Sequence, residues 1–288
     1  MAGGGGGPFP AAAAGCRIGM VNYINVAPIY EVWKETVRRQ DWRVVEDSPA
    51  ALCRMLAAGE LDVGVVSCYE YGQNPADYRI LDDLSISANG PVGSVFLFAA
   101  VPMQELGDRL VLLSSQSKTS AALVQVILEE FVGVRPRYLV GELASGGGQA
   151  QAVLAIGDDA LRLVREGRYP HCYDLGEIWK RQTGLPFVFA VFAVREEYCR
   201  RHPAELAEIH RQFLRCRARG REEMHLICSR VAPRIPMACE DCYAYLRAIE
   251  HDLGAEKRLA LEKFFGYLIA RGECSTEALP LKIQHLPA

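Results

Sequence analysis

Residues 186–194 read PFVFAVFAV, nine positions without one polar side chain. A run of that length falls well short of the roughly 20 apolar residues that cross a bilayer. It is also too uniform for a strand with one wet face, which would alternate. The remaining reading is a strand buried on both faces, and such strands sit inside sheets covered by helices. The chain must then build a layered α/β architecture around this segment.

The rest of the sequence supplies the layers. Arg17–Tyr23 reads as a short strand, and Ser48-Pro49 opens a helix that Gly59 closes, with Ser as N-cap and Pro first inside. LDVGVVS (61–67) returns to strand character, and strand–helix–strand implies parallel pairing. GPVGSVFLFAAVP (90–102) is a second apolar run, ended by Pro102. The pattern then restarts with a strand at 109–115 and a helix whose Val124, Ile127, Leu128 and Phe131 share one face, with Gly133 as C-cap. QAVLAIG (151–157) is a strand and DDALRLVREG the helix after it. Beyond Arg195 the period is helical throughout, from Leu206, Ile209 and Phe213 to Leu261, Phe264 and Leu268. Two α/β lobes follow from this order. Residues 16–100 and 195–288 form the first, with a helical tail, and 101–194 form the second. Crossings near 98–102 and 190–195 serve as hinges, and a ligand cleft lies between the lobes. Residues 1–15, MAGGGGGPFPAAAAG, read as a disordered tail.

Charge narrows the partners. With 32 basic and 35 acidic residues the net charge is −3, which gives no case for binding nucleic acid or an anionic membrane. No apolar run is long enough to span a bilayer, and the start lacks a secretory signal, so a cytoplasmic protein is expected. Ten scattered cysteines suit free thiols in a reducing compartment. His225, Cys228, Cys239 and Cys242 have zinc-like spacing, but ordinary helical i,i+3 pairs give the same pattern, and thiols without metal are the reading adopted. No cofactor is expected.

Four segments end strands or open helices with small polar groups, and in α/β sheets ligands bind outside the carboxyl ends of strands. The first holds Asn22 and Asn25, which serve either the turn or a ligand. The second, SSQSKTS (114–120), places Ser117, Thr119 and Ser120 where a helix starts, an anion site without formal charge beyond Lys118. N-capping accounts for one of its hydroxyls only. The third is Ser94, which stands outside any G-x-S-x-G elbow and has no activating base at motif spacing. The fourth is AIGDDAL (155–161), where Gly157 permits close approach to a ligand and Asp158 or Asp159 can N-cap a helix. GGGQA (146–150) lacks the Lys-Ser/Thr of a P-loop and reads as a flexible loop.

Taken in order, VNYINVAPIY, LAAGELDVGVVSCYEY, LSISANGPVGSVFLF, SKTSAALVQVIL, AIGDDAL and YDLGEIWKRQTGLPFVFAVFAV carry a resemblance. The chain resembles the chorismate dehydratase family of the futalosine route to menaquinone, over about residues 17–195. The glycine-rich start lies outside the match, the C-terminal helices match in character only, and the many cysteines depart from the pattern. The resemblance implies a two-lobed fold like that of type 2 periplasmic binding proteins. It implies loss of water from chorismate, a small-molecule substrate, to give 3-[(1-carboxyvinyl)oxy]benzoate. It also maps substrate contacts onto Asn25 and Ser94, a carboxylate-binding helix start onto Ser117, Thr119 and Ser120, and a Gly-Asp pair onto Gly157 and Asp158. For the proton, the substrate's own enolpyruvyl carboxylate and Asp158 are the alternative acceptors.

Three other readings share the fold. A solute-binding protein would need export, which the missing signal opposes. The dihydroxynaphthoate synthase of the same pathway ends its first strand in a Cys-Pro-Asn type motif, which this sequence lacks. The sensing domain of a transcription regulator would need a DNA-binding helix pair upstream.

Overall fold

The computed structural model describes residues 15–142, 150–235 and 237–286. The expected tail lies outside them apart from Gly15, as does the expected SGGG loop. The chain begins with β1 (Arg17–Met20), a 3-10 turn (Ile24–Val26) and α1 (Ala27–Thr36), which carries Pro28 in its first turn. Next come β2 (Arg43–Glu46), α2 (Pro49–Ala57), β3 (Val63–Ser67), α3 (Cys68–Gln73) and β4 (Tyr78–Ala88). Ser48 caps α2 as its sequence predicts, accepting from the Ala51 N–H at 3.4 Å. β1 pairs in parallel with β2 and β3.

The chain then enters a second sheet. Its elements are β5 (Val95–Ala99), β6 (Leu110–Ser114), α4 (Lys118–Val126) with a π-helical extension (Ile127–Val132), β7 (Arg137–Gly141), β8 (Ala152–Ile156), α5 (Gly157–Glu166), β9 (His171–Asp174) and α6 (Leu175–Thr183). The order is β7-β6-β8-β5-β9, parallel among β6, β7 and β8 and antiparallel at β5. Gly133 ends the α4 extension in the left-handed region.

β10 (Phe187–Arg195) returns to the first sheet and runs antiparallel between β3 and β4. This is the PFVFAVFAV run, and its insertion between two strands is why it carries no polar side chain. It also corrects the expected lobe boundaries. β5 belongs to the second sheet and β10 to the first, so the crossings lie at 89–94 and ahead of Phe187. Each long apolar run is a sheet strand, and the crossings fall in the short segments before them. The first sheet is correspondingly mixed, not all parallel.

The C-terminal part comprises α7 (Glu196–Arg201), α8 (Pro203–Glu222), α9 (Met224–Val231), α10 (Cys239–Ala248), β11 (Ile249–Glu250), α11 (Ala255–Ala270) and β12 (Ile283–Gln284). β11 and β12 both pair with β4, so the tail closes on the first sheet, with two short strands among the expected helices. The docking is electrostatic as well as apolar. β4 carries Asp82 and Asp83 in mid-strand, with Asp83 at φ 53°. Arg217 of α8 donates to the Asp83 carboxylate at 2.6 Å, while Arg258 of α11 and His285 pair with Asp82. Trp179 of α6, Phe187 of β10 and Phe264 of α11 pack edge to face at 5.0–5.9 Å between centroids. Aromatic contacts of this kind add to what burial alone contributes.

His251, just past β11, is completely enclosed and its Nε2 lies 2.8 Å from the Asn25 carbonyl. A carbonyl only accepts, so Nε2 carries the hydrogen. Burial pulls its pKa from 6.5 down to about 4, helped by Arg221, Arg217 and Lys257 and opposed by the bond to Asn25. The folded value lies below the unfolded one, so the unfolded chain binds more protons in between. Stability tied to this group is complete above about pH 6.5 and is lost as pH falls toward about 4. Over that window the loss amounts to about 3 kcal/mol. His251→Gln keeps an N–H donor but does not ionise. In urea titrations across that range, wild type should lose stability relative to His251→Gln, whereas parallel curves would show that this ring is not held neutral.

Candidate functional site

The first strand ends at Met20, and the two asparagines that follow part company. Asn22 is exposed and belongs to a surface network, donating to Glu46 at 2.9 Å and accepting from Arg234 at 2.9 Å. Asn25 sits inside the 3-10 turn, where its carbonyl is fixed by His251. Its side-chain Oδ1 is buried without a hydrogen-bond partner among the described residues. An unpaired buried amide oxygen costs about 1–3 kcal/mol, a cost that a ligand donor removes. Asn25 therefore presents an unsatisfied polar group to the cleft.

Ser94 is 1% exposed and lies just ahead of β5. Its carbonyl accepts from the Gly157 N–H at 2.7 Å, and its Oγ accepts from the Tyr245 hydroxyl at 2.8 Å. The two residues before it are clamped by Asp174, whose carboxylate accepts from the N–H groups of Val92 at 3.1 Å and Gly93 at 2.7 Å. The same carboxylate caps α6 through the Glu177 N–H at 3.0 Å. Burial raises the Asp174 pKa, and the bonds from Gly93, Val92 and Glu177 pull against that rise. Tyr245 is enclosed too, and burial pushes its phenol up, so it remains a donor.

Gly157 opens α5 at φ +56°. A Cβ there would stand 3.3 Å from the Tyr23 ring, so this position needs glycine for conformation and for space. The helix has Ile156 at its N-cap, and neither Asp158 nor Asp159 serves that role. Both fall in the first turn, where the helix dipole favours a carboxylate. Asp158 is half-buried, and its pKa is raised chiefly by burial, then by Asp159, against Arg162 and Arg234.

At the start of α4, Ser117 is the N-cap, accepting from the Ser120 N–H at 3.2 Å, and the two hydroxyls lie 3.0 Å apart. The N–H groups of Lys118 and Thr119, first in the helix, have no partner inside it. Thr119 points elsewhere than expected. Its buried hydroxyl accepts from the Tyr69 N–H at 3.0 Å and lies 3.4 Å from the Cys68 sulfur, tying α3 to α4. Lys118 is exposed and donates to Gln73.

Asn25, Ser94, Ser117, Ser120 and Gly157 line one cavity between the sheets, together with Tyr23, Ser67, Phe189 and a wall of valines and isoleucines. Thr119 and Asp158 do not line it. Among the described residues Tyr23 is its one titratable lining residue, and burial pushes that phenol up to about 12. The volume is about 80 Å³. That is below the roughly 150 Å³ that holds a benzene ring. Tyr23 donates across the cleft to Gln116 at 2.6 Å. A larger cavity of about 640 Å³, between the second sheet and α5, contains none of the predicted contacts and ends at Glu142, beside the undescribed residues 143–149.

His225 stacks on Tyr243 at 3.9 Å, and among the described residues no group of three or more His, Cys, Asp or Glu side chains is placed to hold a metal. All ten cysteines are free. Sequence reasoning missed Tyr23, Asp174, Tyr245 and His251. Of these, only Asp174 carried a local sign, as a capping residue three places before Glu177.

The fold has many counterparts among solved structures. A protein of Archaeoglobus fulgidus aligns with a TM-score of 0.67 at 16% identity, covering 91% of this chain and 99% of that one. The periplasmic aliphatic sulphonate binding protein of Escherichia coli gives 0.67 at 14%, over 96% and 94%. A Candida albicans protein with the generic periplasmic-binding-protein fold gives 0.69 at 8%, over 95% and 98%. These likenesses show a periplasmic-binding-protein-like fold. In sequence, a chorismate dehydratase of Thermus thermophilus is 35% identical over 199 residues, 62% of this chain and 70% of that protein. Residues 16–270, which hold every side chain of the cleft described above, match the family described by menaquinone biosynthesis, and the chain belongs to that family.

Proposed function

We propose that this protein is a chorismate dehydratase, a hydro-lyase that removes water from chorismate to give 3-[(1-carboxyvinyl)oxy]benzoate. The observation that carries this reading is the cavity itself: the Ser94 hydroxyl beside an Asn25 amide whose oxygen has no partner among the described residues, in an apolar, uncharged enclosure. A solute-binding protein needs to fit its ligand. An elimination needs donors fixed where charge develops, and such preorganised donors carry much of an enzyme's rate.

The reaction breaks the ring C3–H bond, and the electron pair moves into the diene toward the ring carboxylate. The C4 hydroxyl then departs and leaves as water with the proton. Aromatisation drives the second step. The open N–H groups at the start of α4, with Ser117 and Ser120, suit one carboxylate, since helix starts attract anions. Ser94 and Asn25 hold the rest of the ring. Among the described residues no cavity-lining side chain is a base of suitable strength, so the enolpyruvyl carboxylate, already close to C3, takes the proton. The protein then contributes position and a water-poor setting. Asp158 is the competing acceptor, because its carboxylate is half-buried beside Gly157.

Purified protein incubated with chorismate and a chelator should yield an aromatic product one water lighter, identified by mass spectrometry. Binding of chorismate without conversion would instead identify a carrier of the same fold. Ser94→Ala should cut turnover about 100- to 1000-fold, the scale of a lost oxyanion donor. It should also cost about 1–3 kcal/mol of stability, because the buried Tyr245 phenol loses its acceptor. Wild-type turnover in Ser94→Ala would reduce the serine to a structural hydroxyl.

A pair of variants separates the two bases. Asn25→Asp puts a negative charge against an anionic ligand, so binding and turnover should both collapse. Asp158→Asn should keep activity within about tenfold of wild type, whereas loss of a general base costs about 100- to 10,000-fold. A dead Asp158→Asn enzyme would assign the proton to that carboxylate.

A further inference from the structure

Two of the site's supports come from one short stretch far along the chain. Tyr245, on α10, donates to Ser94 Oγ across 151 positions of sequence, and His251 donates to the Asn25 carbonyl across 226. Both are almost fully enclosed, at 9% and 1% exposure. Resting on the dehydratase reading, we propose that residues 245–251 are the positioning element of the active site, with Tyr245 aiming the Ser94 hydroxyl and His251 holding Asn25.

The argument for Tyr245 is one of hydrogen-bond inventory. A phenol buried in apolar surroundings must donate, and Ser94 Oγ is its acceptor among the described residues. A serine hydroxyl has one hydrogen to give. With Tyr245 donating to its oxygen, that hydrogen has no acceptor among the described residues and turns to the cavity that Ser94 lines. Hydrogen bonds in a chain also polarise one another, so the tyrosine makes the serine a better donor. Its ring lies against Gly93, where a Cβ would meet it at 3.3 Å, so the tyrosine and the Asp174-clamped loop fix Ser94 from two sides.

For Asn25 the support acts through the backbone. Its Oδ1 has no hydrogen-bond partner among the described residues, so the main chain's bonds matter for holding the residue in place. The His251 bond to its carbonyl supplies that hold, from a ring whose residue in turn gives its own carbonyl to the Ser85 N–H at 3.1 Å. α10 and β11 thus act as a brace between β4 and the two side chains that meet the ligand.

Tyr245→Phe removes one oxygen and keeps the ring, so the fold should survive. With chorismate as substrate, its kcat should fall at least about tenfold with KM changed less than about threefold, since an aimed donor matters most where charge develops. In a Ser94→Ala background the same change should cost nothing further, because the group it acts through is gone. A loss of packing would instead multiply with the Ser94→Ala loss. For the second arm, His251→Leu should lower kcat and His251→Gln should recover most of it. Wild-type kcat in Tyr245→Phe, or multiplicative losses in the double variant, would overturn the proposal while leaving an active wild type and its assigned function intact. An inert wild type would remove the dehydratase reading and the catalytic role together. The unfolding free energies of the same four proteins would then still report the Tyr245–Ser94 bond by their non-additivity.

Discussion

The cleft depends on one buried carboxylate, Asp174, that forms no ion pair among the described residues. Asp174 keeps its place in a low-dielectric setting because three backbone N–H groups point at it, from Val92, Gly93 and Glu177. A charge so held is stable only while the donors stay put. That one side chain therefore starts α6 and freezes the crossing between the sheets in the same act. Ser94 is the last residue of that crossing, and its carbonyl then catches the first N–H of α5. The cavity wall, the serine and the glycine that admits Tyr23 are consequences of that clamp.

What the clamp creates is a neutral chamber for a charged ligand. A cationic pocket would bind a dianion more tightly, but it would bind substrate and transition state alike. Interactions that strengthen only as charge moves are the ones that raise turnover. In the proposed mechanism hydroxyls, an amide and helix-start N–H groups meet that requirement, with an apolar wall that would keep their dipoles effective by excluding water.

Much of this was legible in the sequence, and the limits are physical. Ser48-Pro49, Gly133 and the nine-residue apolar run announced caps and a central strand through local chemistry alone. β4 stayed hidden because Asp82 and Asp83 interrupt its apolar pattern, and partners distant in sequence, the arginines of α8 and α11 and His285, make that interruption tolerable. Thr119 looked like part of an anion site because the sequence gives a helix start but not its rotation. In the fold, that face turns to Tyr69. Asp158 likewise shares a turn with Gly157 without reaching the cavity wall. Tyr245 and His251 left no trace, since nothing local marks a side chain whose partner lies more than a hundred residues away.

The claim on which the account rests is that the protein supplies geometry and the substrate supplies the base. A chorismate analogue with its enolpyruvyl carboxylate replaced by a carboxamide tests this directly, since the amide cannot accept the C3 proton at neutral pH. Single-turnover absorbance with saturating analogue should show no aromatic product, even while calorimetry registers the analogue bound. Aromatisation of the bound amide at a rate near that of chorismate would mean that a protein group takes the proton, and the substrate-assisted mechanism would be wrong.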